Sequence, residues 1–246
     1  MAKQLRVALV GYNFMGRAHS NAWRQVKFYF PELKLEPVMV ALCGRNKAKV
    51  DDVRERFGWA EAVYDYDELL ARDDIDLVDV TPPNNQHVEM IVKAAAAGKH
   101  ILCEKPLATS LADARRAVAA VKKAGVTHML MHNYRRAPAI ALAKEMIAGG
   151  ELGEIYHWRA LYLQDWLMSP DVPMMWRVQK KIAGSGSLGD LMAHSIDLAN
   201  WLVGDIDSVA CTMKTFIKKR PQLADVDAGL GGKADNLMMR IVDILY

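Results

Sequence analysis

Paired cysteines are missing from this 246-residue chain: it has three, Cys43, Cys103 and Cys211, odd in number and far apart. That spacing excludes a disulfide framework and a cysteine zinc site, so the thiols read as small buried hydrophobes in a reducing compartment. Long apolar runs are missing too. No segment approaches ~18 uninterrupted apolar residues, and Met1 to Leu5 enter a strand pattern without a basic region followed by a long apolar one. A soluble, cytoplasmic protein with no membrane partner is expected. Charge of one sign is scarce: 32 Lys and Arg stand against 29 Asp and Glu, a net +3. The basic residues are scattered apart from Lys180-Lys181 and Lys218-Lys219-Arg220, which read as solvated faces, so no nucleic-acid partner is expected. No low-complexity tract or repeat interrupts the chain, and 52% hydrophobic residues exclude disorder and allow one large or two ordinary domains.

What is present is an alternation. Short β-rich runs at 5–10, 37–43, 77–80, 100–103 and 127–131 are separated by helical stretches near 16–28, 46–57, 85–97 and 110–124, which predicts a parallel sheet with helices on both faces. After Met131 the rhythm changes. Residues 154–164 alternate (Ile155, His157, Arg159 against Tyr156, Trp158, Ala160) and 209–217 form another strand-like run, so an α+β domain with a mostly antiparallel open sheet is expected. The predicted domains are 1–131, dinucleotide-binding, and 132–246, substrate-binding and oligomerising.

Two places carry chemistry on their own residues. Val7 to Val10 run into Gly11-Tyr-Asn13-Phe14-Met15-Gly16, a strand entering a glycine turn that opens a helix. Gly11 permits the turn, Gly16 lets helix and strand approach, and helix-start amides can hold a pyrophosphate. Asn13 replaces the middle glycine, as a residue that tolerates left-handed backbone. The second strand ends Gly44-Arg45 without an acidic residue, which leans the cofactor to NADP over NAD, Arg45 meeting the 2′-phosphate or stacking on adenine. The other place is Ile101-Leu-Cys-Glu104-Lys105-Pro106, a buried strand delivering an acid and an ammonium to the sheet edge. Farther on, Asp190 and His194 are four apart, so a helix puts a carboxylate and an imidazole on one face. Read without context, Asp190 is a helix cap, His194 a core side chain and His87 a helix-start histidine with a structural hydrogen bond. No third ligand accompanies Asp190 and His194, so no metal is expected.

Four segments, Gly11–Gly16, Thr81-Pro82-Pro83-Asn84-x-x-His87, Gly98–Leu107 and Gly186–Asp197, together resemble the Gfo/Idh/MocA oxidoreductases, a family of NAD(P)-dependent sugar and polyol dehydrogenases. The resemblance covers roughly 5–217. It implies a Rossmann domain followed by the open-sheet domain, and hydride transfer between NAD(P) and a secondary alcohol of a sugar or inositol-like polyol. It implies that Thr81, Pro82, Asn84 and His87 lie along the cofactor, Glu104 near the nicotinamide ribose and Lys105 beside the reacting carbon. Asn133, Tyr134 and Arg135 sit where family members reach substrate, and Trp176 and Arg177 match a Trp-Arg pair before the catalytic helix, Arg177 on the cofactor side. Tyr162, Gln164, Asp165 and Trp166 suit a polyhydroxylated ring. In this reading His194 takes the proton, Asp190 orients it or holds a hydroxyl, and Lys105 polarises the reacting oxygen, with Lys105 as the alternative base. The family continues past 217 with further strands, whereas 221–233 is rich in Gly, Asp and Ala, so a shortened chain is expected, forming a homo-oligomer through its sheet if that sheet is intact. A cofactor-binding protein without turnover, and a glycosidase working through transient oxidation, stand as alternatives.

Overall fold

In a computed structural model, residues 3–222 are described, and they fall in two compact units, Met1–Met131 and His132–Tyr246. The expectations about 221–246 lie almost wholly outside the described residues. In the first unit β1 (Lys3–Val10), β2 (Leu35–Cys43), β3 (Glu61–Val63), β4 (Leu77–Val80), β5 (His100–Glu104) and β6 (His128–Met131) form one sheet in the order β3-β2-β1-β4-β5-β6. Every neighbouring pair is parallel. The strand order reverses between β1 and β4, which makes the carboxyl ends of those two strands the crevice where open α/β sheets hold ligands.

Side-chain alternation puts a core on each face. Ala8, Val10, Val78, Val80, Ile101 and Cys103 pack under α4 (His87–Ala96) and α5 (Leu111–Ala124), through Ile91, Ala94, Ala117 and Val121. Val7, Leu9 and Leu42 pack with Val50 and Val53 of α2 (Lys47–Phe57) and with Trp59. Each fully buried Val or Leu contributes about 1.5–3 kcal/mol relative to exposure. On the same side α1 (Phe14–Tyr29) buries Gly16, His19 and Ser20, a helical i, i+3, i+4 spacing that places polar groups against the sheet. Helix starts are set by side chains: Asn46 accepts from the Lys49 amide at 3.2 Å, Asp65 caps the short α3 (Tyr66–Leu70), and Ser110 accepts from the Asp113 amide at 3.1 Å. α2 and α5 end on left-handed glycines, Gly58 and Gly125.

The second unit contains α6 (Pro138–Ala148), α7 (Lys180–Ala183) and α8 (Ala193–Leu202), the last entered through a π-helical turn, Leu188–Met192. Arg135, in the short helical turn 133–136, donates Nε to Asp197 Oδ2 at 2.7 Å and Nη2 to Oδ1, and lies 4.6 Å from the Trp201 ring centre. Arg220 does not lie on a solvated face. It is half-buried and donates to the carbonyls of Leu167, Ser169 and Val172. The expected antiparallel sheet is not met among the described residues: 154–164 and 209–217 carry no strand, and the single bridge beyond Met131 is a parallel one, Met174 to Gln222. Alternation supplies two faces, but a strand exists only where a neighbour takes its amides and carbonyls, and no described neighbour does so here.

Candidate active site

At the switch point Gly11 has φ +108°, and a Cβ on it would lie 2.5 Å from Thr81 Oγ1. A Cβ on Gly16 would lie 2.0 Å from the Gly11 carbonyl oxygen. Both close approaches let α1 begin directly against the turn. Thr81 Oγ1 donates to the Val10 carbonyl at 2.7 Å and ties the tips of β1 and β4. Asn13 is the cap residue at φ −80°, ψ −160°, so it is extended and not left-handed. The middle glycine can be absent because this position does not need positive φ. The Asn13 side chain makes no capping bond and no acid stands in the first turn, a helix start whose amides, from Phe14 to Gly16, suit an anion. Gly44 packs against the Tyr12 ring, and exposed Arg45 follows it at the tip of β2.

The second cluster forms around Glu104, Lys105 and Pro106, where the Lys105–Pro106 peptide is cis. Asp79 on β4 and Glu104 on β5 are 0% and 7% exposed, and buried His19 lies between them. His19 Nδ1 meets the two Asp79 oxygens at 3.0 and 2.9 Å, and Nε2 meets Glu104 Oε1 at 2.9 Å. Burial alone pushes the His19 imidazole down; Asp79 and then Glu104 outweigh it and raise it to about 10. Trp23 Nε1 donates to Asp79 at 2.8 Å, and Glu104 Oε2 accepts the Lys105 amide at 3.1 Å. His87, 1% exposed, has Nδ1 2.8 Å from the Pro106 carbonyl and Nε2 2.8 Å from the Pro82 carbonyl. Burial holds its pKa down against those two bonds.

Two of the residues expected along the cofactor, His87 and Glu104, are engaged by the protein itself. Both ring nitrogens of His87 and both oxygens of Glu104 are directed at protein atoms, because a polar group this deeply buried must find partners inside the fold. His87 therefore has the structural hydrogen bonds of the context-free reading. Asn84 is buried in the turn before α4, and Pro82 is half-buried beside it. The buried thiols are inert: burial raises Cys43 to about 12 and Cys103 well above its ordinary value. His19, Asp79 and Trp23 were missed by sequence reasoning. The available signal was Asp79, a carboxylate inside the apolar run Leu77–Val80, since a buried charge requires a partner.

In the second unit, Asp190 lies in the π turn and His194, 6% exposed, in the first turn of α8. Such turns recur at functional sites. The Tyr134 ring stacks on His194 with centroids 4.1 Å apart, and the Tyr134 and Tyr162 hydroxyls are 2.5 Å apart. Burial, the Tyr134 hydroxyl and the Asp190 charge all push the Tyr162 phenol up, so it remains a donor. A cleft of about 470 Å³ opens between Tyr134, Trp158, Arg159, Tyr162 and His194. Arg135, expected as a substrate contact, has its guanidinium fixed by a bidentate partner, Asp197. Asn133 is exposed beside it, and Trp176 lies under the Arg177 guanidinium at 4.3 Å in the turn Trp176–Val178. Lys105 belongs to the first unit and Asp190 and His194 to the second. Among the described residues no group of His, Cys, Asp and Glu is arranged to hold a metal ion, and no helix is long and apolar enough to cross a membrane.

A parallel sheet of this strand order, with a glycine turn at its switch point, defines a dinucleotide-binding protein. Residues 5–132 match a family model described as an oxidoreductase family with an NAD-binding Rossmann fold, residues 140–236 match the GFO/IDH/MocA C-terminal domain, and the chain belongs to this Gfo/Idh/MocA oxidoreductase family. It is 42% identical to the levoglucosan dehydrogenase of Pseudarthrobacter phenanthrenivorans over 219 residues, 89% of this chain and 56% of that protein. It is 30% identical to the D-apiose dehydrogenase of Paraburkholderia graminis over 208 residues, 85% of this chain and 52% of that one. A solved levoglucosan dehydrogenase in complex with NADH and levoglucosan superimposes with a TM-score of 0.88 at 41% identity, over 92% of this chain and 61% of that chain. An oxidoreductase domain protein from Kribbella flavida gives 0.86 at 45% identity, over 89% and 60%. The chain thus spans a little over half the length of these curated relatives.

Proposed function

We propose that this protein is an NAD-dependent oxidoreductase acting on a secondary alcohol of a cyclic sugar. The observation that carries this reading is the Glu104-Lys105-Pro106 turn: an ammonium-bearing residue at the carboxyl edge of a dinucleotide-binding sheet, one strand from the switch point. The Gly11–Gly16 turn, where a Cβ has no room, and the amides opening α1 fit the pyrophosphate. When bound, the nicotinamide supplies the hydride acceptor. Lys105 neutralises charge developing on the reacting oxygen, His194 takes the hydroxyl proton, and Asp190 orients the imidazole or holds a neighbouring hydroxyl. Thr81, Pro82 and Asn84 flank the cofactor; Asn133, Trp176 and Arg177 belong to the sugar and nicotinamide surroundings.

For the cofactor, Arg45 supports NADP, while the NADH in solved levoglucosan dehydrogenases supports NAD. We take NAD as the carrier, with Arg45 on the adenine. NADPH binding about tenfold more tightly than NADH overturns this and restores the phosphate role. For the substrate, the relatives' names point to sugars such as levoglucosan and apiose, and inositol is the comparator. We further take a soluble, cytoplasmic protein whose second unit mediates a homo-oligomer, supported by the exposed apolar side chains of Tyr156, Leu163, Val209 and Phe216. A monomer by light scattering removes the oligomer.

The deciding assay follows NADH absorbance with levoglucosan, apiose and inositol. A sugar is expected to turn over, and Lys105→Met is expected to lower kcat by about 10²–10⁴-fold while NADH affinity changes less than about threefold. Turnover by the variant within a few-fold of the parent overturns the role of Lys105.

A further inference from the structure

Lys105 stands between two chain neighbours, and each is gripped by a different buried histidine. On one side Glu104 receives His19 at Oε1 and gives Oε2 to the Lys105 amide. On the other side the Pro106 carbonyl receives His87. Neither histidine is near Lys105 in sequence, and each ties the turn to a second part of the sheet edge: His19 to Asp79 on β4, His87 to the Pro82 carbonyl after β4. We propose that His19 and His87 are positioning residues for Lys105, fixing its backbone from both sides through Glu104 and Pro106.

The chemistry of the donors supports it. A carboxylate only accepts, so a ring with a carboxylate at each nitrogen satisfies both only when both nitrogens carry protons. His19 is therefore an imidazolium enclosed by two carboxylates, and the Trp23 indole takes up further lone-pair capacity on Asp79. The result is a continuous bonded path, Trp23 to Asp79 to His19 to Glu104 to the Lys105 amide, whose three central members are buried. His87 faces a carbonyl at each ring nitrogen, and because burial disfavours its charged form, the neutral ring donates to one of the two, Pro106 or Pro82, at a time. Such supports matter because a displacement near 1 Å at a reacting group can lower a rate by about 10²-fold.

This rests on the reading of Lys105 as a catalytic group, and the test separates the two. The first arm is independent of activity: a nitrogen-detected spectrum of the folded protein at about pH 8, above the ordinary histidine value of ~6.5, with assignment by His19→Gln and His87→Gln. His19 is expected to show two protonated ring nitrogens. A singly protonated His19 overturns the proposal whatever the enzyme does. The second arm uses the sugar that turns over in the panel above. His19→Gln and His87→Gln are each expected to lower kcat by about 10–100-fold, with the NADH Kd and the sugar KM within about threefold. In a Lys105→Met background the same replacements are expected to have no further effect, because they act through Lys105. Additive losses, or losses mainly in KM, overturn the positioning role; full activity of Lys105→Met overturns the catalytic reading instead. If a variant fails to fold, the ring nitrogens of His19 are assigned in the parent protein through their connectivity to its own backbone amide, and that spectrum decides.

Discussion

At Gly16 one hydrogen separates a helix from the turn it closes. A Cβ there falls 2.0 Å from a backbone oxygen, which cannot rotate aside as a side chain could. Gly16→Ala is therefore expected to push the first turn of α1 off the sheet, costing about 1–3 kcal/mol and weakening NADH binding at least about tenfold; differential scanning calorimetry and fluorescence titration measure both. An unchanged melting temperature together with unchanged affinity contradicts the close approach. Asn13→Ala makes the opposite case. Its backbone is extended and its side chain caps nothing, so NADH affinity is expected to stay within about threefold. The glycine turn was legible in the sequence because its constraint is local, a few residues whose backbone must fit together. The His19 network was not, because its acceptors lie 60 and 85 positions away along the chain.

Strand β4 shows the same division at the scale of an element. Its limits, 77–80, agree with the apolar run that marked it, and β1, β2, β5 and β6 begin and end within two residues of their runs. β3 and α3, three and five residues long, are too short for any periodicity to register. The alternating stretch 154–164 is the converse case, with a clear period but no described pairing partner. Pairing is a long-range property that a face pattern does not contain. Within β4, Asp79 is the residue that the strand pattern alone does not explain. Asp79→Ala leaves His19 with one carboxylate and the Trp23 indole without its acceptor, so it is expected to destabilise the folded protein by about 3–5 kcal/mol. Ser110→Ala, which removes the cap of α5, is expected to cost only about 1 kcal/mol. Urea unfolding of both variants ranks them, and a cap loss equal to the Asp79 loss contradicts the buried ion network.

For the whole molecule, two ion pairs act on opposite limbs of the stability curve. Arg6 holds the Asp76 carboxyl down at about 2, chiefly through its hydrogen bond. That share is present above the unfolded value near 3.9 and is lost as pH falls toward 2. The two side chains are 38% and 29% exposed, so solvent screening keeps the share below about 1 kcal/mol. His19 acts the other way. Its pKa is raised in the folded state to about 10, so its share is complete below the unfolded value of ~6.5 and is lost as pH rises through 10. The group is deeply buried, and that loss is on the order of a few kcal/mol. Stability is therefore expected to be flat between about pH 4 and 6.5 and to fall more on the alkaline side than on the mildly acid side. Lysines and tyrosines also titrate near pH 10, so the informative quantity is the difference between the parent and His19→Gln. That difference is expected to be largest at and below about pH 6.5 and to shrink steadily as pH approaches 10. A difference that stays constant from pH 6 to 10 means that the His19 charge does not contribute to folding.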